Sequence, residues 1–288
     1  MKVDDAATAS ATTSSSKDAQ AVGELASVDG VIGPAGQATI PATDEGFLRG
    51  DGAFEVIRVY AGIGFALGDH LDRMERSAAS LQLEWPAPRS RIEEEIASLL
   101  AARGGVSFEG CLRLVLTRGR RRLMFTEPLP PHADRVRLGF VTFAPTRVLD
   151  GVKSLSYAAN MLSSRLAKQR GFDEALLVTP HGRVLEAPTS SLFWADADGR
   201  LFTPPLDDHI LASITRERLM GLVTVEERPT TQDDVLGASE AFLASTTREA
   251  HPVAAIEGRE FAAVGPRTRE AAEAFRAHVR EAVAGPPS

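Results

Sequence analysis

Residues 151–160, GVKSLSYAAN, place a lysine among small and apolar neighbours in a chain that otherwise takes its positive charge from arginine. Only four lysines occur, Lys2, Lys17, Lys153 and Lys168, against a combined lysine and arginine count of 32. An arginine fills nearly every structural role of a cation, but in a protein it cannot lose its proton or act as an amine nucleophile. A lysine does both. Two of the four lie near the start of the chain and Lys168 falls in a helical pattern, which leaves Lys153 as the candidate reactive amine. The ordinary alternative for a lone lysine is a solvated surface charge. Tyr157, four positions on, opens a helix, and Glu186 in VLEAP reads by itself as an exposed strand-end carboxylate. Ser213 and Thr215 precede and begin TRERLMGL, where they read most simply as helix caps. Arg113 alternates away from Leu112 and Leu114, and Arg120 to Arg122 form a short basic run that reads as a solvated face.

The elements that must position these residues follow from periodicity. AFEVIRVY (53–60) and GFALG (64–68) flank a small turn and predict a β-hairpin. Asp69 is then expected to cap a helix in which Leu71, Met74, Ala78 and Leu81 share a face. A second helix, RIEEEIASLLAAR, stops on Gly104-Gly105. Strands CLRLVLT (111–117) and VRLGFVTFA (136–144) are expected to complete a first unit, and PTRVLDGV to connect it to a second. There follow a helix from Tyr157 to Arg170, strands EALLV, VLEAP and SLFWA, a hairpin at DADG into LFTPP, and a helix from Thr215. Strand VTVEE, a helix near DDVLGAS, strand EAFLAST and a C-terminal helix complete the chain. The expected fold class is α+β in two domains, 28–146 small and 147–288 large, behind an Ala/Ser/Thr-rich segment over 1–27 that reads as a disordered tail.

Composition narrows the function classes. With 288 residues, 43% hydrophobic and 25% charged, the chain can bury a substantial core. A formal charge of -7 argues against nucleic-acid and membrane-surface partners, which require clustered basic surface. The single cysteine, Cys111, excludes an internal disulfide, and no CxxC or HExxH spacing offers a metal site. No apolar run has the length of a membrane span, so a cytoplasmic location is expected. Gly62, Gly64 and Gly68 give GxGxxxG, one residue too long for a dinucleotide fingerprint and better explained by the hairpin.

Nine landmarks in series, GDGAFEVIRVY, HLDRMERSA, TRG, KSLSY, GFDEALLV, VLEAPTSSLFW, LFTPP, ITR and ASTTREAHPV, resemble the class IV aminotransferases, the fold-type IV pyridoxal-phosphate enzymes. The likeness runs from about Gly50 to Pro252. It implies pyridoxal 5'-phosphate held as an imine by Lys153, with Glu186 beside the ring nitrogen, Tyr157 near the phenolic oxygen and Leu211 packed on the ring. The phosphate is expected to meet Arg73, the backbone of Ile214 and Thr215, and Thr246. Phe54, Arg113, Thr247 and Arg248 are the candidate substrate contacts. The implied reaction moves an amino group between an amino acid and a 2-oxo acid in a homodimer. Aminodeoxychorismate lyases share the cofactor and KxLSYxxNM, which makes pyruvate-releasing elimination the alternative, and a non-catalytic binding protein on the same fold is a third. The chain departs from the D-amino acid enzymes in carrying Phe54 for their tyrosine and no Arg-x-His trap after TRG, and from the branched-chain enzymes at Ser190-Ser191.

Overall fold

A computed structural model describes residues 23–284. In its first unit, strands β1 (Leu25–Val28), β2 (Val31–Pro34), β3 (Gly52–Tyr60), β4 (Ile63–Gly64), β5 (Gly110–Thr117) and β6 (Arg122–Glu127) form an antiparallel sheet in the order β2-β1-β6-β5-β3-β4. A short helix α1 (Glu45–Arg49) precedes β3, and α2 (Leu67–Ser80) and α3 (Arg89–Arg103) cover one face of the sheet. The phase of β3 decides which face that is. Ala53, Ile57 and Val59 pack with Leu71, Met74 and Ala78 of α2 and with Ile92, Ile96 and Leu99 of α3. Phe54 and Val56, in the opposite phase, look the other way into a cleft.

The second unit is built on a ten-stranded mixed sheet. Its strands are β7 (Val136–Thr142), β8 (Glu174–Val178), β9 (Arg183–Val184), β10 (Ser191–Ala195), β11 (Leu201–Thr203), β12 (Val225–Glu227), β13 (Thr230–Thr231), β14 (Glu240–Ser245), β15 (Glu249–Ile256) and β16 (Arg259–Glu260). The order is β12-β11-β10-β14-β15-β7-β8-β9-β13, with β16 on β15. Helix α4 (Ala158–Gln169) lies on β8, α5 (Ile214–Leu222) and α7 (Pro266–Ala284) on β14, and α6 (Gln232–Leu236) beside β13. Alternation in SLFWA serves two cores at once. Trp194 stacks on Phe202 in one, while Phe193 stacks on Phe242 at 4.8 Å under α5 and α7 in the other.

Several expectations are corrected. The expected tail over 1–27 falls on residues 1–22 outside the described residues, but Leu25 to Ser27 belong to β1, paired with β6 about a hundred positions away. Four residues carry too little alternation to reveal such a partner. GFALG is a strand only to Gly64, and helix α2 begins at Leu67, so Asp69 sits in the first turn rather than at the cap. Its carboxylate there suits the positive helix end and also pairs with Arg218 of α5. Strand β7 joins the large sheet between β15 and β8, which moves the boundary between units from 146 to before Val136. VLEAP is strand only over Arg183–Val184.

The two units meet where the lysine segment crosses β3. Phe54 N–H donates to the Lys153 carbonyl at 3.0 Å, Leu155 N–H donates to the Gly52 carbonyl at 2.8 Å, and Lys153 N–H donates to Ser77 Oγ of α2 at 3.1 Å. This approach needs a residue without a side chain. A Cβ on Gly52 would lie 2.6 Å from Leu155 Cδ1 and also against the Leu116 carbonyl. Gly50, at φ +68, ends α1 in the left-handed region beside the Ser156 backbone.

Gly52→Ala is therefore expected to destabilise the protein by about 1–3 kcal/mol through overpacking and to displace the backbone of Lys153. Chemical denaturation measures the first effect. An unchanged midpoint would show that the two segments have room to spare.

Candidate active site

A cavity of about 550 Å³ lies between the two units. Its lining brings together Phe54, Arg73, Arg113, Lys153, Tyr157, Glu186, Leu211, Thr246, Thr247 and Arg248, which are scattered over nearly 200 positions of sequence. Ile214 and Thr215 are not on the lining: they open α5 just behind it with buried side chains, while Ser213, the N-cap, faces the cavity.

Lys153 lies at the middle of the wall, its Nζ 4.3 Å from the centre of the Phe54 ring and 5.9 Å from that of Tyr157. Burial pulls its ammonium down to about 8, and Arg73 and Arg113 add to the effect, while Glu55 and Glu186 oppose it. A lysine so placed carries a sizeable fraction of free amine near neutral pH. Tyr157 meets Phe54 edge-on at 5.4 Å. Its hydroxyl donates to the Pro188 carbonyl, a partner not expected from the local pattern. Asn160 donates to the same carbonyl at 3.2 Å.

Glu186 occupies the opposite situation. Burial pushes its carboxyl up to about 7, against the Leu211 N–H and the charges of Lys153, Arg216 and Arg73, all of which lower it. Leu211 N–H donates to Glu186 Oε1 at 3.1 Å, the only hydrogen bond the carboxylate receives among the described residues. A half-buried carboxylate at the edge of a cavity with a free oxygen is an acceptor for a ligand N–H.

Arg73 stands at a third point. Its Nε and Nη2 each donate at 2.7 Å to the two oxygens of Glu55, and Nη1 donates at 2.9 Å to the carbonyl of Ala212, the residue before the Ser213 cap of α5. Three of the five guanidinium N–H groups are thereby engaged. The remaining two sit next to the amino end of α5, where helix amides and dipole favour an anion. Glu55 is fully buried and also bonds His70 Nδ1 at 2.8 Å. Neither Glu55 nor His70 was expected from the sequence. The available signal was phase: Glu55 alternates with Ala53, Ile57 and Val59 on the side of β3 that faces the core.

The last two guanidinium groups of the cavity are also held by carboxylates. Arg113, directly across from Val56 in the β3–β5 register, makes a two-pronged pair with Glu127. Arg248 pairs with buried Glu174, leaving Arg248 Nη1 without a partner among the described residues. Nearby, His251 is pushed down to about 4 by burial, with Arg248 and His132 adding to it, and His132 is lowered by burial and Arg248. Arg120, Arg121 and Arg122 are absent from the lining and pair instead with Glu84, Asp29 and Glu95.

Comparison with known proteins gives concordant results. A family model described as amino-transferase class IV matches residues 52–256. A provisionally named branched-chain-amino-acid aminotransferase of Methanocaldococcus jannaschii is 32% identical over 264 residues, covering 83% of this chain and 91% of its own. A D-alanine aminotransferase of Bacillus licheniformis is 28% identical, covering 83% and 92%. Among solved structures, a Mycobacterium tuberculosis protein described as a hypothetical aminotransferase in PLP-bound form superposes with a TM-score of 0.79 at 27% identity, covering 88% of this chain and 98% of that one.

Lys153 and Glu186 each contribute to the pH dependence of the protein without ligand, with His251, lowered from 6.5 to about 4, acting against Glu186 over the acid range. Glu186, raised from 4.5 to about 7, holds a proton in the folded state that the unfolded chain has lost, so its contribution to stability declines as pH rises from about 4.5 to 7. Lys153, lowered from 10.5 to about 8, has the reverse effect: stability is regained between about 8 and 10.5. Glu186→Gln should flatten the first limb and Lys153→Met the second in denaturation titrations. Limbs that persist in both variants would assign the titration to other groups.

Proposed function

The chain belongs to the class IV aminotransferases, moving an amino group between an amino acid and a 2-oxo acid, and from that premise we propose that Lys153 is the cofactor-bearing and proton-shuttling amine. The observation that carries this reading is the placement of one depressed-pKa amine, one raised-pKa carboxylate and one arginine at a helix start around a single cavity. That donor set fits pyridoxal 5'-phosphate, the cofactor of the family: Lys153 for its aldehyde, Glu186 for its ring nitrogen, and Arg73 with Ser213, Ile214, Thr215 and Thr246 for its phosphate. Leu211 and Tyr157 bound the space left for the ring.

When bound, pyridoxal phosphate supplies a carbon that takes up an amino group and a protonated ring that stabilises the carbanion left by α-proton removal. The chain supplies the rest. Lys153 Nζ, near its own pKa at neutral pH, is suited both to release a proton and to recover one. Glu186, as a carboxylate, keeps a positive charge favourable at its free oxygen. Phe54 and Tyr157 cover the amine and keep bulk water from it. At the substrate end, the unpartnered Nη1 of Arg248, with Thr247 beside it, supports recognition of a carboxylate, and Arg113 is available along the β5 wall.

A homodimer is also proposed. Leu162 and Leu166, 50% and 41% exposed, lie one turn apart on α4, with exposed Phe47 and Leu48 on α1, and a second copy would remove these side chains from water. Among the described residues no helix is long and apolar enough to cross a membrane, and the cytoplasm is the compartment we propose.

The test is kinetic. An amino acid donor alone should release one equivalent of 2-oxo acid per active site and then stop, and addition of a second 2-oxo acid should restore continuous, ping-pong turnover. Borohydride reduction followed by peptide mapping should find the phosphopyridoxyl group on Lys153, and Lys153→Ala should abolish both results. Continuous release of pyruvate from aminodeoxychorismate without an acceptor would establish the elimination instead, and labelling of Lys168 would refute the assignment of the amine.

A further inference from the structure

The group that most distinguishes this cavity from an ordinary polar cleft lies behind its wall. Glu55 is 0% exposed and sits on the face of β3 otherwise given to Ala53, Ile57 and Val59. A carboxylate there loses its hydration and is retained only if fully paired. It is: Arg73 Nε and Nη2 occupy both oxygens at 2.7 Å, and His70 Nδ1 reaches Oε2 at 2.8 Å. His70 and Arg73 stand three apart on α2 and so present to the same side of the helix.

From this network the geometry points to Glu55, braced by His70, as the positioning residue that aims Arg73 at the phosphate, so that the phosphate is recognised by two oriented N–H groups and not by net charge. The inference rests on the reading of Arg73 as the phosphate arm. The planar guanidinium is fixed by the two bonds to Glu55 along one edge, which turns Nη1 to the Ala212 carbonyl and the start of α5. The pair Arg73–Glu55 is neutral as a unit. Desolvation favours a neutral His70, with Arg73 and Lys153 adding to the effect and Glu55 opposing it, so the imidazole adds no charge and donates Nδ1–H to the carboxylate.

Charge counting and orientation predict opposite signs for one substitution. Glu55→Gln removes a negative charge next to Arg73, so if charge alone governed, a phosphate dianion would bind more tightly. If orientation governs, the amide cannot accept at both oxygens, the fork is released, and phosphate binding weakens. The measurement is the ratio of dissociation constants for pyridoxal and pyridoxal phosphate on the cofactor-stripped full chain, with inorganic phosphate as competitor. A general loss of stability moves both ligands together and leaves the ratio unchanged.

Glu55→Gln is expected to lower the ratio roughly tenfold or more, the scale of a charge-assisted contact. Glu55→Asp, which keeps the charge on a shorter arm, should fall between it and the parent. If Glu55→Gln does not fold, His70→Gln, which leaves the two-pronged pair in place and loosens only its brace, carries the test with an expected drop of about threefold. Arg73→Ala separates the two levels of the argument. If it leaves the ratio unchanged, the assignment of Arg73 and this inference fall together. If it lowers the ratio while the Glu55 and His70 variants leave it unchanged or raise it, Arg73 stands and the positioning role is overturned.

Discussion

Two backbone hydrogen bonds fix the main chain of Lys153, the residue proposed as the reactive amine. The Lys153 carbonyl accepts from Phe54, Leu155 donates to Gly52, and these bonds stitch β3 of the first unit to the segment between β7 and α4 of the second. Both bonds involve main chain on each side, and the Ser77 hydroxyl adds a third tie to the Lys153 N–H. They depend on Gly52, whose lack of a Cβ lets the two segments approach. The same contact sets the direction of β3: its odd positions must face α2 and α3, and its even positions, Phe54 and Val56, must face the cleft.

The ionisable groups of the cavity divide into two kinds. Arg73, Arg113 and Arg248 are each tied to a carboxylate behind the wall, Glu55, Glu127 and Glu174, while Asp150 and His209 pair with each other at 2.7 Å. Among the described residues, Lys153 and Glu186 have no such counterpart. Pairing holds a charge in place and commits its geometry, whereas burial without pairing penalises the charged form and draws the pKa toward neutrality. Lys153 and Glu186, the residues assigned to chemistry, are thus among the groups left unpaired, and the arginines assigned to recognition are braced.

Much of this was legible in the sequence, and the limits have physical causes. Lys153 stood out because a lysine is rare in an arginine-rich chain, and the helices α2 and α3 were visible because Leu71, Met74 and Ala78 keep a 3.6-residue period and Gly104 stops the second. The resemblance named Arg73 and Glu186, and both do line the cavity. What stayed hidden are pairings over long separations. Glu55 meets Arg73 eighteen positions on, β1 meets β6 across most of the first unit, and β7 finds its neighbours only after β8 and β15 exist. Local pattern says that a segment is a strand, and tertiary contact decides which sheet receives it. Tyr157 is the instructive case: it lines the cavity, yet the partner of its hydroxyl is a carbonyl thirty-one positions away.

At the end of the cavity lined by Arg113 and Arg248, proposed above to receive the substrate, the same braced design would bear on selectivity. Glu174 and Glu127 offset the charges of Arg248 and Arg113, and burial together with Arg248 keeps His251 and His132 from adding positive charge near neutral pH. A carboxylate entering there meets little net attraction at long range. What it meets is Arg248 Nη1, a buried donor that no group of the described chain satisfies. Leaving such a donor unpaired costs more than pairing it gains, so a site of this kind selects by rejecting ligands that lack the acceptor. On the role proposed for Arg248, discrimination between amino acids and simple amines would then rest on that one oriented N–H at the end of the cavity.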